Sequence, residues 1–505
     1  MDRYLLYLRF LLYAIITLGV YWAFQDFALF QFNTADASTY LNIAENICSH
    51  KGFVVSYNLY HFFTSHYYPI WPYMQFLYPL LCSCVFKLHG GLEQVIRVNI
   101  FILGLNAAFV FYIVRRFVPS RLNVFFWVTL VFSFNFYFTA FYAWTEQLHL
   151  LIFLVSFILF VRFPQDRRVL LGVGMLNGVL FLIRVAQIYS ILAYVMMMVF
   201  LDKGLRQKLI SIGVFLLGFL MVLAPFQLFN WGHYHALYPQ YIKPAADYTL
   251  ARISSFSCYH EGKVGIFNPQ GFRCAWDNVG HFCHHLKAFY SHIWISLIPL
   301  VAYFVFSKRS KEGRFLVVNC LLQSVLIILG YCYSFSWNTS IDSGRYVLVP
   351  YVLTAMAGWF CLYELFFYSN QEWKKRCVAV LLALLMVFVL YRYDADRQNM
   401  INHPWRKMPF YHALFDSYRW IDRNLPKEVL IASNEDQNGF FMHRPFISTP
   451  VGRSYNCSNM AIYNKIYKPD YYLLSQNVTD QCFSSIAHTT VYANKIFRIY
   501  KVGKK

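Results

Sequence analysis

The sequence predicts an α-helical polytopic membrane protein with about 11 transmembrane helices, interfacial helices and a small C-terminal extracytoplasmic α/β domain. Three observations predict it. Of 505 residues, 58% are hydrophobic and only 13% charged, against roughly 25% charged in an ordinary soluble domain. Apolar runs of about 20 residues, the length that crosses the hydrocarbon core, recur from the N-terminus to residue 391. The basic surplus, +20 overall, is concentrated in short segments between those runs. That distribution is a topology signal rather than a nucleic-acid footprint, so nucleic acid is excluded as a partner.

Eleven runs are read as spans: 4–24, 98–114, 122–141, 146–161, 169–184, 185–201, 209–230, 289–306, 315–336, 346–368 and 377–391. No small-residue cleavage site follows the first, which therefore reads as a retained anchor. Arg184 marks the boundary of the pair around 169–201. With the N-terminus cytoplasmic, six short segments fall inside: 1–3, 115–121, 162–168, 202–208, 307–314 and 369–376. They hold 17 Lys+Arg against five acids, which is +12 of the +20. The opposite topology would put every one of these clusters outside, against the positive-inside rule.

Three long pieces then lie outside, 25–97, 231–288 and 392–505. The apolar run 73–88 in the first is bounded or interrupted by Pro69, Pro72, Pro79 and His89-Gly90-Gly91. It reads as a helix lying in the membrane interface. Counted as a span, it would turn Arg115 and Arg116 outward. The last piece changes character: RWIDRNLP (419–426) ends an amphipathic helix, while VLIAS (429–433), YYLL (471–474) and KIFRIYKV (495–502) read as short strands. The expected division is a membrane module over 1–392 and an outer α/β domain over 393–505. In an oxidising compartment Cys457 and Cys482 form one disulfide, and two of Cys258, Cys274 and Cys283 form another; pairing within the loop stays open.

Ionisable side chains at membrane depth are costly, and each is a functional candidate. Arg9 and Glu364 lie near cytoplasmic span ends, where a long side chain snorkels to water. Arg97, Glu146, Arg184 and Arg345 differ, because the topology sets all four at the outer face. Asp36 joins them. In TADASTYLNIAENICSH, Tyr40, Ile43, Ala44, Ile47 and Cys48 form the stripe of an amphipathic helix, with Asp36 at its start. A carboxylate there serves either as a cap favoured by the helix dipole or as a base at the membrane surface. In a partly desolvated site it accepts the proton of an acceptor hydroxyl. Arginines at the same level hold a lipid phosphate by charge-assisted hydrogen bonds. Such a leaving group needs electrostatic stabilisation more than a general acid.

Other motifs carry less. Asp394-Ala395-Asp396 is a D-x-D, but it follows the last span on the outer side, where nucleotide sugars are absent. His281, Cys283, His284 and His285 are too close in sequence to close one tetrahedral zinc site well. There is no P-loop and no dinucleotide fingerprint.

The layout resembles the GT-C glycosyltransferases, in the branch of the protein O-mannosyltransferases and the lipid A aminoarabinose transferase. The resemblance rests on D-x-x-x-Y-L-x-x-A-x-N (Asp36, Tyr40, Leu41, Ala44, Asn46) followed by Gly52-Phe53, and on HYYPIWPYMQFLYPLL (66–81). It continues in IRVNIFILG (96–104), TEQLHLL (145–151), LIRVA (182–186), GRYVLVPYV (344–352) and RWIDRNLPKEVLIAS (419–433). It covers nearly the whole chain; each motif alone is weak, and their order and spacing carry the likeness. It implies a polyprenyl-phosphate sugar donor, an inverting displacement, and a glycan, lipid or protein acceptor at the outer face of a bilayer. Carried over by position, Asp36 is the base and Glu146 a second acid. Arg97, Arg184 and Arg345 hold phosphate or order the site, and Tyr40, His66 and Tyr346 from the quoted motifs are further substrate-binding candidates. The family often has two adjacent acids in the first loop, whereas Ala35 precedes Asp36 here. No metal or other cofactor is therefore expected. The branch points to a bacterial inner membrane with the C-terminal domain periplasmic, an endoplasmic reticulum protein being the alternative. The competing function is a transporter or flippase of lipid-linked glycan intermediates, which would use the same arginines.

Overall fold

In the computed structural model the described residues are 2–29, 35–54, 57–58, 76–184, 187–201, 204–234, 311–334, 345, 347–367, 372–402, 409–433, 446–448, 464, 468–475 and 486–503. The expected span 289–306 lies outside them, as do His66, Tyr346, Cys258, Cys274, Cys457, Cys482 and the 281–285 cluster. In chain order the helices are α1 (Asp2–Phe24), α2 (Ala35–Cys48), α3 (Leu77–Lys87), α4 (Leu92–Phe117), α5 (Asn123–Val131), α6 (Phe134–Tyr137) and α7 (Glu146–Arg162). Then follow α8 (Arg167–Phe181), α9 (Ile188–Val199), α10 (Leu205–Tyr234), α11 (Lys311–Ser334), α12 (Leu348–Leu362), α13 (Glu372–Asn402) and α14 (Pro409–Asn424). The chain divides into two compact units, one drawn from 1–30, 96–233 and 264–398, the other from 31–95, 234–263 and 399–505.

The first unit is helical. Five of its described helical stretches are long and apolar enough to cross a membrane: Tyr7–Ala28, Leu92–Phe117, Leu205–Phe229, Leu348–Leu365 and Glu372–Asn399. On α1, Phe10, Leu11, Ile15, Leu18 and Trp22 are exposed while Thr17, Val20 and Phe24 are buried, a stripe at helical spacing. A hydrophobic surface of that extent on a helix of this length suits lipid rather than water.

The run 122–141, expected to be one span, is broken. Asn123–Val131 and Phe134–Phe141 meet at 64°. The Ser133 hydroxyl at the break donates to Leu130 O at 2.6 Å, a local bond that competes with the helical ladder. The pair around 169–201 is likewise two short helices, α8 of 15 residues and α9 of 12, with Arg184 between them. A close seam fixes α8: a Cβ at Gly174 would lie 2.0 Å from Phe215 O, and one at Gly218 on α10 would lie 2.2 Å from Leu171 O. Only glycine allows the two backbones to approach so closely.

The second unit contains α2, α3 and a mixed sheet. The 11 residues of α3 rise about 16 Å, half of a ~30 Å hydrocarbon core, so this helix is too short to cross. Tyr40 on α2 packs its ring edge-on against Tyr78 of α3 at 5.3 Å. The strands are β1 (Tyr57–Asn58), β2 (Ile431–Ser433), β3 (Phe446–Ser448), β4 (Tyr471–Ser475), β5 (His488–Ala493) and β6 (Phe497–Val502). Their order is β1-β3-β2-β4-β6-β5. The first four pair in parallel, and β6 runs antiparallel to β4 and β5. All three residues of β2 are buried, as a central parallel strand requires. The strands expected within 429–433, 471–474 and 495–502 are β2, β4 and β6. β3, β5 and β1 were not anticipated, and β1 comes from the first long loop. Ala413, Leu414, Ser417, Tyr418 and Ile421 form the buried side of α14. The Asn494 amide ties the β5–β6 turn to that helix, donating to Ala413 O at 2.7 Å and Ser417 Oγ at 3.1 Å.

Candidate functional site: a buried cluster at the head of α7

The cluster is built on the short link between the broken span and α7. Its backbone is extended at Tyr142 (φ −116°, ψ 154°). The Asn99 carboxamide on α4 holds it, donating to Tyr142 O at 2.7 Å and Trp144 O at 3.4 Å. Glu146 is then the first residue of α7, where the helix dipole favours a carboxylate. The next residue anchors this turn: Gln147 donates to Phe136 O and Thr139 Oγ1, both at 2.9 Å, and accepts from Asn106 at 2.8 Å.

Two arginines from distant stretches meet Glu146 Oε1. Arg345 Nε donates to it at 2.6 Å, and Arg184 Nη1 donates to the same oxygen. The Arg345 guanidinium also lies over the ring of Trp144, 4.3 Å from its centroid. Relative side-chain exposures of 2% for Glu146, 5% for Arg345 and 11% for Arg184 make this a desolvated group. Glu146 Oε2 has no hydrogen-bond partner among the described residues. One carboxylate beside two guanidiniums leaves a formal charge of +1.

Burying such a group is costly, and apolar residues of similar size often stabilise a fold as well or better. Its chemistry suits an anion: planar guanidinium forks match phosphate oxygens, and low dielectric strengthens the contact. Beneath it lies a chain of neutral polar side chains. His149 Nε2 and Gln187 Oε1 are 2.9 Å apart, Gln187 donates to Asn177 at 2.8 Å, and Asn177 donates to Ser156 at 3.0 Å. Gln187 N also bonds Arg184 O at 3.1 Å, tying the chain to the arginine's backbone.

Of the residues singled out from the sequence, Glu146, Arg184 and Arg345 thus come together. Arg97 is exposed on α4, and Tyr40 is buried against Tyr78. Asp36 is the second residue of α2, in the other unit. Asp396 of the D-x-D accepts from the Tyr137 hydroxyl at 3.2 Å and lies 4.0 Å from Arg392 on its own helix. Among the described residues no group of three metal-ligating side chains occurs. Trp144, Asn99, Gln187 and His149 were missed. Only their polarity or size within apolar runs marked them, and no local pattern links them to the arginines.

No protein-family model and no curated protein matches the sequence. Solved structures do. ArnT of Cupriavidus metallidurans in the apo state aligns over 97% of both chains with a TM-score of 0.59 and 12% identity. The same protein bound to undecaprenyl phosphate aligns over 97% of both with a TM-score of 0.54 and 12% identity. An oligosaccharyltransferase of Archaeoglobus fulgidus, in complex with zinc and sulfate, covers 96% of this chain and 73% of its own at a TM-score of 0.50 and 11% identity. The chain is a multi-pass membrane protein, and it shares the fold of these solved structures.

Proposed function

We propose that this protein is an integral-membrane glycosyltransferase that moves a sugar from a polyprenyl-phosphate carrier to an acceptor at the extracytoplasmic face. The observation that carries the reading is the buried, net-positive Glu146–Arg184–Arg345 cluster, set in a fold shared with a protein that binds undecaprenyl phosphate. Arg184 and Arg345 hold the phosphate, and Glu146 fixes the two guanidiniums relative to each other. Asp36 takes the proton of the acceptor hydroxyl as its oxygen attacks the anomeric carbon. The C–O bond to phosphate breaks, and the arginines neutralise the charge developing on the departing prenyl phosphate. Attack opposite the leaving group inverts the anomeric centre. The electrostatics come from guanidinium groups, so the reaction is read as metal-independent. The N-terminus is cytoplasmic and the α/β domain periplasmic, in a bacterial inner membrane.

The flippase reading uses the same arginines but gives Asp36 no chemistry. Gathering of the ionisable groups Glu146, Arg184 and Arg345 in one cluster, with neutral amides and hydroxyls further along, supports the enzyme. The test separates binding from turnover. Asp36→Asn should lose transfer by about 100-fold or more, within the usual range for a general base, and still bind the lipid donor. Arg184→Ala and Arg345→Ala should weaken donor binding. Normal product formation by Asp36→Asn sinks the base assignment, and wild-type affinity for prenyl phosphate in both arginine variants sinks the phosphate site.

A further inference from the structure

Arg345 is held on two sides of its chemistry. Within the guanidinium plane Nε is committed to Glu146 at 2.6 Å. Its guanidinium carbon also lies over the ring of Trp144, 4.3 Å from the centroid. The two contacts do not compete, since the first uses one N–H donor and the second the attraction of the cation to the ring quadrupole. Together they leave the fork little freedom to rotate about its long side chain.

Trp144 is itself fixed. It is 1% exposed, its carbonyl accepts from Asn99 at 3.4 Å, and its ring stacks on Tyr142 at 4.1 Å and 14°. Neighbouring rings of Phe138 and Trp144 meet edge-on at 6.4 Å. An aromatic shelf of this kind exceeds what burial alone needs, because Leu or Met would fill an apolar niche without attracting a cation.

We propose that Trp144 is a positioning residue: by holding the guanidinium over its ring it fixes where Arg345 presents its donors to a phosphate. The inference rests on the glycosyltransferase reading and deepens it, adding a determinant of affinity for the lipid phosphate that touches neither sugar nor acceptor. Its effect runs through the quadrupole of the indole. Withdrawing electron density from the ring at constant shape therefore weakens phosphate binding, whereas a packing role is indifferent to that change.

The experiment uses the full chain in detergent or nanodiscs, with undecaprenyl monophosphate as the probe. Trp144, one of 12 tryptophans, is replaced site-specifically by mono-, di- and trifluorotryptophan. Phe and Leu variants are made alongside. Affinity should fall progressively with fluorination. Trp144→Leu should bind about 10-fold or more weakly, the scale of a desolvated cation–π contact, and Trp144→Phe should fall between. In the transfer assay KM for the donor should rise in the same order while kcat changes less. A flat fluorination series with intact binding by the unmodified protein overturns the positioning role alone. Absence of binding by the unmodified protein overturns the phosphate site and the inference with it. The fluorinated proteins keep the shape of tryptophan, so the result stands even where Trp144→Leu fails to fold.

Discussion

Glu146 carries two guanidinium groups on one oxygen, so its charge holds together side chains that are 38 and 199 residues away in sequence. Replacing it with glutamine keeps the shape and leaves two buried cations facing an amide. Breaking a buried pair costs about 3–5 kcal/mol, and the Glu146→Gln protein should be destabilised on that scale in a mixed-micelle unfolding titration. A loss within experimental error would mean that the arginines are neutralised elsewhere. Conservative exchange should fail too: Arg345→Lys removes the planar fork and its several N–H donors, so it should behave nearer to alanine than to wild type in donor binding. Glu146, Arg184 and Arg345 were recognisable in the sequence because charge at membrane depth is rare. Trp144 was hidden, since one more aromatic residue in a chain that is 20% aromatic carries no signal without its neighbour.

At the level of elements, the broken span between α5 and α6 is stabilised where Tyr351 of α12 donates to Ser133 Oγ at 2.9 Å, while Ser133 donates to Leu130 O. Ser133 and Tyr351 should therefore be energetically coupled. Ser133→Ala and Tyr351→Phe should each cost about 1 kcal/mol, and the double variant should cost clearly less than their sum. Strict additivity would show that the bend is held by other contacts. Hydropathy registers the length and apolarity of 122–141 but not its direction. The runs 169–184 and 185–201, read as two spans, instead give α8 and α9 of only 15 and 12 residues, because the polar break around Arg184 ends both helices early.

For the whole molecule, the placement of basic residues predicts which way the helices run. A cysteine introduced at Glu372, the first residue of the long α13, should be cytoplasmic. One at Lys495, exposed in the β5–β6 turn, should be outside. A membrane-impermeant maleimide should label Lys495→Cys in intact cells and Glu372→Cys only after permeabilisation, each compared with the unsubstituted chain. The reverse pattern would overturn the orientation, and with it the placing of the arginine cluster at the outer face. The sheet makes a second point at this scale. Tyr57 and Asn58 from the first long loop pair in parallel with Phe446 and Ile447 near the C-terminus, so a unit that looks C-terminal in composition is completed by residues from near the N-terminus.

By itself the sequence determined the membrane character, most of the long helices, the gathering of basic residues in short segments between apolar runs, and the few ionisable residues at the edges of those runs. Each is a property of composition or local periodicity, and hydrophobic transfer and charge desolvation act on it residue by residue. Only the tertiary structure decided that Glu146, Arg184 and Arg345 share one carboxylate oxygen, that Trp144 lies under a guanidinium, that the third apolar run bends by 64°, and that β1 joins the sheet. Those outcomes depend on which distant segments pack together. That is set by the joint fit of many side chains and backbone hydrogen bonds, and it leaves no mark in any one window of the chain.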